Sequence, residues 1–224
     1  MRAMFDTIAP RYDLVNRVMT LGLDRSWRRH AVACLTLPAG SRVLDVACGT
    51  GDLCRVLAGA GYQPVGIDMS AGMLHHARTP APLVLGDALT MPFAPACLDG
   101  AVSGFALRNF VALPPLFTEL AGAIRSGGRI SLLDVSRPTS PLLRAGHRLW
   151  LDQAVPRIGA ALSDPAAYRY LPRSVSYLPP AAQLIGLLEV AGFGAVERVA
   201  LSGGITQLFT ATRSASPPGA GDPR

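Results

Sequence analysis

The sequence predicts an α/β fold: an open, mostly parallel, doubly wound sheet of seven strands, finished by an antiparallel C-terminal hairpin and interrupted by a helical insertion. Three observations predict it. From Val43 onward, short apolar runs alternate with longer helical patterns, the rhythm of parallel strands joined by right-handed crossovers. The first run ends in the glycine-rich stretch ACGTGD, where the backbone can turn tightly into a helix. The last two runs, Ala195–Leu201 and Ile205–Thr212, are separated only by Ser202-Gly203-Gly204. A connection that short permits only an antiparallel hairpin.

The elements follow in order. Residues 1–36 form an N-terminal helical segment, and 37–213 the main domain. Val43–Val46 is the first strand and Leu53–Ala60 a helix stopped by Gly61. Pro64–Ile67 is a second strand ending at Asp68, and Ser70–Arg78 a helix with Ser70 as N-cap. Leu83–Leu85 ends at Gly86-Asp87, and Gly100–Ser103 makes a fourth strand. Pro114–Ile124 is a helix with proline at its start. The turn Ser126-Gly127-Gly128 precedes a fifth strand, Arg129–Val135. Residues 138–180 are rich in Pro, Arg and aromatics without a strand pattern, and read as a helical insertion over one sheet edge. Ala181–Ala191 is the last helix, closed by Gly192, and residues 214–224 form a compositionally disordered tail.

Composition bounds the partners. Half of the 224 residues are hydrophobic and 16% charged, with mean hydropathy +0.31, which supports a full core and excludes a disordered chain. All 21 basic residues are arginine against 15 acids, so the net charge is +6 and the pI about 9.7. The arginines are spread along the chain rather than massed in a block, which favours general surface chemistry over a nucleic-acid partner. Four cysteines without a CxxC pair argue for reduced thiols and against zinc. The first residues lack an apolar signal region, and no apolar run reaches 18 residues, so the expectation is a cytoplasmic protein that spans no membrane.

Open α/β sheets bind ligands beyond the carboxyl ends of their strands, so the strand ends carry the functional argument. Asp45 stands before Gly49, Thr50 and Gly51. A dinucleotide loop wants a third glycine where Cys54 stands, and a phosphate loop wants a lysine that the chain lacks. A negative charge here repels pyrophosphate and suits a cation; S-adenosyl-L-methionine carries an ammonium and a sulfonium. Asp68, at the second strand end, can accept from two ribose hydroxyls, and Asp87 from an exocyclic adenine amine, with Ala88 beside it offering backbone. A lone Asp at a strand end is often only a turn acid, but three at successive ends of one sheet make that reading weak. Met69 and Met73 line the adenine side or fill the core. The adjacent pair His75-His76 does not share a helix face, and no metal is signalled.

With these segments, VLDVACGTGDL, GIDMSAGML, GDALTMPF, GFALRNF and RSGGRISLLDVSRP, the chain resembles the ubiquinone/menaquinone-biosynthesis C-methyltransferases, a branch of the class I S-adenosylmethionine-dependent enzymes. MFDTIAPRYDLVNRVMTLGLDRSWRR at the start, and AYRYLPRSV and GGITQLFTATR near the close, agree as well. The resemblance covers residues 4–213, and LRNF, the RYD segment and the closing GGI are its more specific parts. It implies a seven-stranded sheet with an antiparallel last strand, and donor contacts from Thr50, Asp68, Asp87 and Ala88 around Gly49 and Gly51. Where the family commonly has Ser, this chain has Gly104, with Ser103 one place earlier; where it usually has Glu after the fifth strand, this chain has Asp134.

The resemblance also implies a prenylated quinol substrate, demethylmenaquinol converted to menaquinol, with Tyr12, Arg108 and Asn109 as catalytic residues. Carbon methylation of such a ring needs a stabilised oxyanion ortho to the attacking carbon, and the permanently charged, five-donor guanidinium of Arg108 suits that task. A poor base for the same reason, Arg108 would share with Asn109 and Tyr12 a water that takes the ring proton. Asp134 and Asp13 are second-choice acids. A membrane-dwelling substrate suggests peripheral contact with the inner membrane surface through Leu142–Ile158, which mixes Arg144, Arg148 and Arg157 with Trp150 and leucines; its plainer role is a helix packed over the site. A homodimer is admitted but not specified. The rivals are a methyltransferase for a non-prenylated phenol, a nicotinamide dehydrogenase (opposed by Asp45 and Cys54), a nucleic-acid methyltransferase (whose Asn/Asp-Pro-Pro-Tyr/Phe and Pro-Cys motifs are missing) and a non-catalytic binding module.

Overall fold

Side-chain alternation along the first strand sorts the molecule into layers. In the computed structural model, which describes residues 2–138, 140–150, 153 and 177–215, β1 (Arg42–Val46) sends Val43 to one face and Leu44 and Val46 to the other. Val43 packs with Val32 of α3 (Asp24–Ala33) and with Leu53 and Leu57 of α4 (Asp52–Gly59). Leu44 and Val46 join Leu116, Phe117 and Leu120 of α6 (Leu113–Ala123) and Leu184 and Leu188 of α8 (Ala181–Val190). Each fully buried side chain of this size stabilises the fold by about 1.5–3 kcal/mol.

The strands β2 (Gln63–Asp68), β3 (Leu83–Leu85), β4 (Leu98–Gly104), β5 (Ile124–Val135), β6 (Phe193–Leu201) and β7 (Thr206–Arg213) complete one seven-stranded sheet in the order β3-β2-β1-β4-β5-β7-β6. All pairs are parallel except β5 with β7 and β6 with β7, the arrangement that the short 202–204 connection demands. Because Val46 aligns with Ile67 and with Ser103, the carboxyl ends of β2, β1 and β4 lie side by side at one edge of the sheet.

Two elements differ from the expected bounds for visible reasons. The helix after β2, α5, covers only Ala71–His75, ending well before Thr79-Pro80, where proline disfavours helical geometry in the preceding residue. Strand β5 starts at Ile124 rather than Arg129: Leu98 already pairs with Ile124, and the register shift before Gly100 absorbs the glycine turn, Gly127 standing at φ +77°.

The N-terminal segment folds as α1 (Arg2–Ile8) and α2 (Tyr12–Met19), followed by α3. Within the expected insertion, α7 (Pro141–Leu149) is described; residues 154–176 and the tail from 216 lie outside the described residues. No described helix is long and apolar enough to cross a membrane.

Candidate functional site

The bend after β1 is built from left-handed backbone. Ala47, Gly49 and Gly51 stand at φ +54°, +54° and +79°, and for Ala47 the left-handed conformation costs about 1–2 kcal/mol. Across the same cleft, Phe105 after β4 stands at φ +62°. Left-handed non-glycine residues flanking one cleft are a signature of a binding site.

Asp68 fixes this bend to the neighbouring strand. Its Oδ2 accepts from the Gly49 N–H at 2.8 Å and its Oδ1 from the Ser70 N–H at 2.8 Å. A carboxylate has about four acceptor positions, so the backbone bonds orient the group while leaving acceptor capacity toward the cleft that it lines. Burial raises the Asp68 carboxyl above its ordinary range, while the Ser70 and Gly49 bonds oppose that rise.

Asp68, Met69, Asp87, Ala88, Gly49 and Gly104 all line one cleft of about 710 Å³, part of it open to solvent. Asp87 is exposed, with Oδ1 accepting from the Leu89 N–H at 2.9 Å. Phe5, Phe105 and Phe110 add aromatic walls that sequence reasoning missed. A side chain at Gly104 would place its Cβ 2.8 Å from Leu53 Cδ1. Ser103 is buried and donates to the Val46 carbonyl at 3.0 Å, so it contributes structure rather than a ligand contact.

Asp45 and Thr50 stand slightly apart, on a smaller hollow of about 330 Å³ that shares Gly49, Gly104 and Tyr12 with the cleft. Strand parity turns Asp45 toward α4, whose N-cap is Gly51 and has no capping side chain. Asp45 Oδ2 fills that role, accepting from the Cys54 N–H at 3.1 Å and from the Cys54 thiol at 3.4 Å. Its Oδ1 is buried and has no partner among the described residues. Burial pushes the Asp45 carboxyl up to about 7. An orphaned carboxylate oxygen beside a glycine bend fits an ammonium, and the cleft next to it fits the nucleoside of S-adenosylmethionine.

Gly51 lines neither space: a Cβ there would lie 2.6 Å from Thr79 Cγ2, so its role is the turn itself. Thr50 donates to Asp13 Oδ1 on α2, and Ser70 to Asp6 Oδ1, which also takes the Gly72 N–H at 2.9 Å. Asp6 and Asp13 thus latch the N-terminal helices onto both ligand loops. Asp13, expected as a second-choice acid, is a latch instead. The seven-residue spacing of Asp6 and Asp13 was the signal available in the sequence.

Two of the three expected catalytic residues stand at a third space, an apolar cavity of about 1370 Å³ including its mouth. Arg108 and Tyr12 line it, while Asn109 lines the first cleft, so the three do not share one space; Tyr12 borders both. Arg108 is buried against Asp134, which receives its Nη1 at 2.5 Å and its backbone N–H at 3.2 Å, and Nη1 also reaches the Phe105 carbonyl at 2.7 Å. Fully buried Asp134 is therefore the positioning partner of Arg108 and not a free acid. Burial raises the Tyr12 phenol above its ordinary value, against a hydrogen bond to Asn16 and the charges of Arg108 and Arg28, so Tyr12 stands as a neutral hydroxyl at neutral pH. Leu142, Leu143 and Gly146 of α7, with Trp150 just after it, roof the cavity, and Trp150 Nε1 donates to the Met19 carbonyl at 3.0 Å. No group of three His, Cys, Asp or Glu suited to a metal occurs among the described residues.

With this geometry in hand, comparison with known proteins points one way. The profile described as the ubiE/COQ5 methyltransferase family matches residues 1–213. The ubiquinone/menaquinone biosynthesis C-methyltransferase UbiE of Syntrophotalea carbinolica is 40% identical, over 95% of this chain and 94% of that protein. The demethylmenaquinone methyltransferase of Mycolicibacterium vanbaalenii is also 40% identical, over 95% and 94%. Among solved structures, a Haemonchus contortus phosphoethanolamine N-methyltransferase in complex with S-adenosyl-L-methionine superposes with a TM-score of 0.62 at 16% identity. That match covers 85% of this chain and about half, 53%, of the other, and speaks to the fold.

The state of Asp45 makes a measurable difference. Its folded carboxyl titrates near 7 and its unfolded one near 3.8. Stability from this group is therefore fully present below about 3.8 and is lost as pH rises through about 7. At pH 8 the ligand-free Asp45→Asn variant is expected to be more stable than the parent, by at most about 4 kcal/mol, with the gap closing toward pH 4. Denaturant melts across that range check this; a gap independent of pH contradicts it.

Proposed function

Because the chain belongs to the ubiE/COQ5 methyltransferase family and is an S-adenosylmethionine-dependent methyltransferase, we propose that it methylates a ring carbon of a prenylated quinol, converting demethylmenaquinol to menaquinol. The observation that carries this reading is the junction of two spaces. A cleft with apolar walls, edged by the carboxylates of Asp68 and Asp87, meets a larger apolar cavity at Tyr12 and Phe105, and the buried guanidinium of Arg108 stands in the cavity wall. An apolar tail with a single phenolic head fits such a cavity; a charged or strongly polar acceptor does not.

S-adenosylmethionine supplies, when bound, an electrophilic methyl group on a sulfonium. Asp68 would hold the ribose hydroxyls, Asp87 and the Ala88 backbone the adenine, and Asp45 the ammonium, with Gly49 and Gly104 admitting the ligand to the backbone and Met69 covering one side. Thr50 supports this end from the small hollow and Gly51 sets the turn. Arg108, held by Asp134 and the Phe105 carbonyl, stabilises negative charge on the acceptor hydroxyl as the ring attacks. Asn109 and the neutral Tyr12 hydroxyl orient the reacting ends from the two sides of the junction, where alignment supplies much of the rate. After transfer the ring proton leaves to solvent, since Arg108 cannot accept it.

The acceptor is soluble in lipid, so the cavity must open toward a bilayer. Leu21 and Leu23 after α2, and Leu142 and Leu143 on α7, are exposed around its mouth, with Arg17 and Arg25 exposed nearby. In this reading the protein works at the cytoplasmic face of the membrane, and the described part of the expected surface element, 142–150, is a cavity roof as well. At low salt it is expected to sediment with vesicles containing anionic lipid and to be released as salt rises; failure to sediment refutes docking.

The chemistry is tested with labelled methyl donor and a short-chain demethylmenaquinol. Label is expected on the ring carbon, and Arg108→Met is expected to lower kcat about 100- to 1000-fold with little change in donor affinity. Label on oxygen, or an unchanged kcat in the variant, contradicts the assignment.

A further inference from the structure

Arg28 on α3 is 7% exposed and has entered the site so far only as a charge acting on Tyr12. Its Nη1 pairs with Asp24 Oδ2 and lies 3.5 Å from Asp52 Oδ2, and its guanidinium carbon stands 5.5 Å from the centroid of the Phe105 ring. These contacts use one nitrogen and fix the plane. Among the described residues, no acceptor bonds Nε or Nη2. That is the edge with which arginine grips a carboxylate in parallel hydrogen bonds.

Arg28 stands in the wall of the small hollow beneath the glycine bend together with Asp45, Thr50 and Tyr12. The same hollow contains the unpartnered Asp45 Oδ1. Arg28 and Asp45 form no ion pair with each other. One hollow therefore offers a cation with spare donors and, separately, an acid with a spare acceptor. Neither half is satisfied by a simple ion, because a bound anion leaves Asp45 unmet and a bound cation leaves Arg28 unmet. An α-amino acid satisfies both.

We propose that Arg28 binds the α-carboxylate of the methyl donor and makes the enzyme selective for a donor that carries one. This rests on the reading of Asp45 as the ammonium partner. The contact would be made by a guanidinium that is largely withdrawn from water, where a charge-assisted pair is stronger than in bulk solvent. Asp24 holds the guanidinium in place before the ligand arrives, so little ordering remains for binding. Arg28 also borders the apolar cavity, where the alternative task would be to steady the acceptor's oxygen.

Calorimetric titration of the full chain with three ligands separates these roles: S-adenosylmethionine, S-adenosylhomocysteine, and decarboxylated S-adenosylmethionine, which keeps an amine but lacks the carboxylate. The wild-type protein is expected to bind the two carboxylate ligands about tenfold to a hundredfold more tightly than the decarboxylated one. Arg28→Met should erase that preference, weakening the first two by the same factor and leaving the third within about twofold. Retained binding of the decarboxylated ligand reports an intact site. Arg28→Met with Asp24→Asn, which removes the stranded acid, should behave identically if the single variant folds poorly. Equal wild-type affinity for all three ligands overturns the proposal. So does a uniform loss in both variants, which marks a structural role, or unchanged donor affinity with a raised quinol KM, which gives Arg28 to the acceptor. If the wild-type protein binds none of the three, the donor reading itself fails, and Arg28 falls with it.

Discussion

The hydrogen bond from the Gly49 N–H to Asp68 is the constraint on which the site depends. Parallel register brings Val46 level with Ile67, so the residue that follows each strand arrives at the same edge, and the Cys48 N–H already meets the Ile67 carbonyl at 3.0 Å. The bend and the acid are then close enough for one carboxylate to grip both Gly49 and Ser70. What remains of its acceptor capacity faces the cleft. A left-handed Ala47 is tolerable because this bond and the helix cap made by Asp45 hold the loop from two sides.

Charge in the N-terminal segment is sorted by the same logic. Asp6, Asp13 and Asp24 turn inward to Ser70, Thr50 and Arg28, while Arg17, Arg25 and Arg29 stay exposed. The carboxylates close α1 and α2 over both ligand loops, and the arginines give this cap a basic outer face. The cap therefore carries Tyr12 to the junction of the cleft and the apolar cavity, where a residue of the sheet itself could not stand.

The succession of strands, the antiparallel hairpin at the close and the strand-end acids were legible because each depends on local pattern: apolar runs of strand length, a glycine bend, a three-residue connection, and an acid at the first three runs. The order of the strands in the sheet came only with the fold. Asp45 was legible as an acid near the site but not as a half-satisfied one, since that depends on Gly51 lacking a capping side chain and on strand parity. Asp134 read as an acid because its type suggests one; only the fold brings Arg108 across to occupy it. Arg28 gave no signal at all. In the stretch Trp27-Arg28-Arg29 two adjacent arginines look alike, and the decision that one is buried and the other exposed is made by Phe105, far away in sequence.

The central claim is that strand-end carboxylates hold the nucleoside of the methyl donor over the glycine bend. Calorimetric titration of S-adenosylmethionine into wild-type protein and Asp68→Ala, with circular dichroism confirming that the variant stays folded, tests it most directly. Loss of two hydrogen bonds to a charged acceptor predicts a fall in affinity of about a hundredfold or more. A folded variant that binds the donor as tightly as the parent contradicts the account.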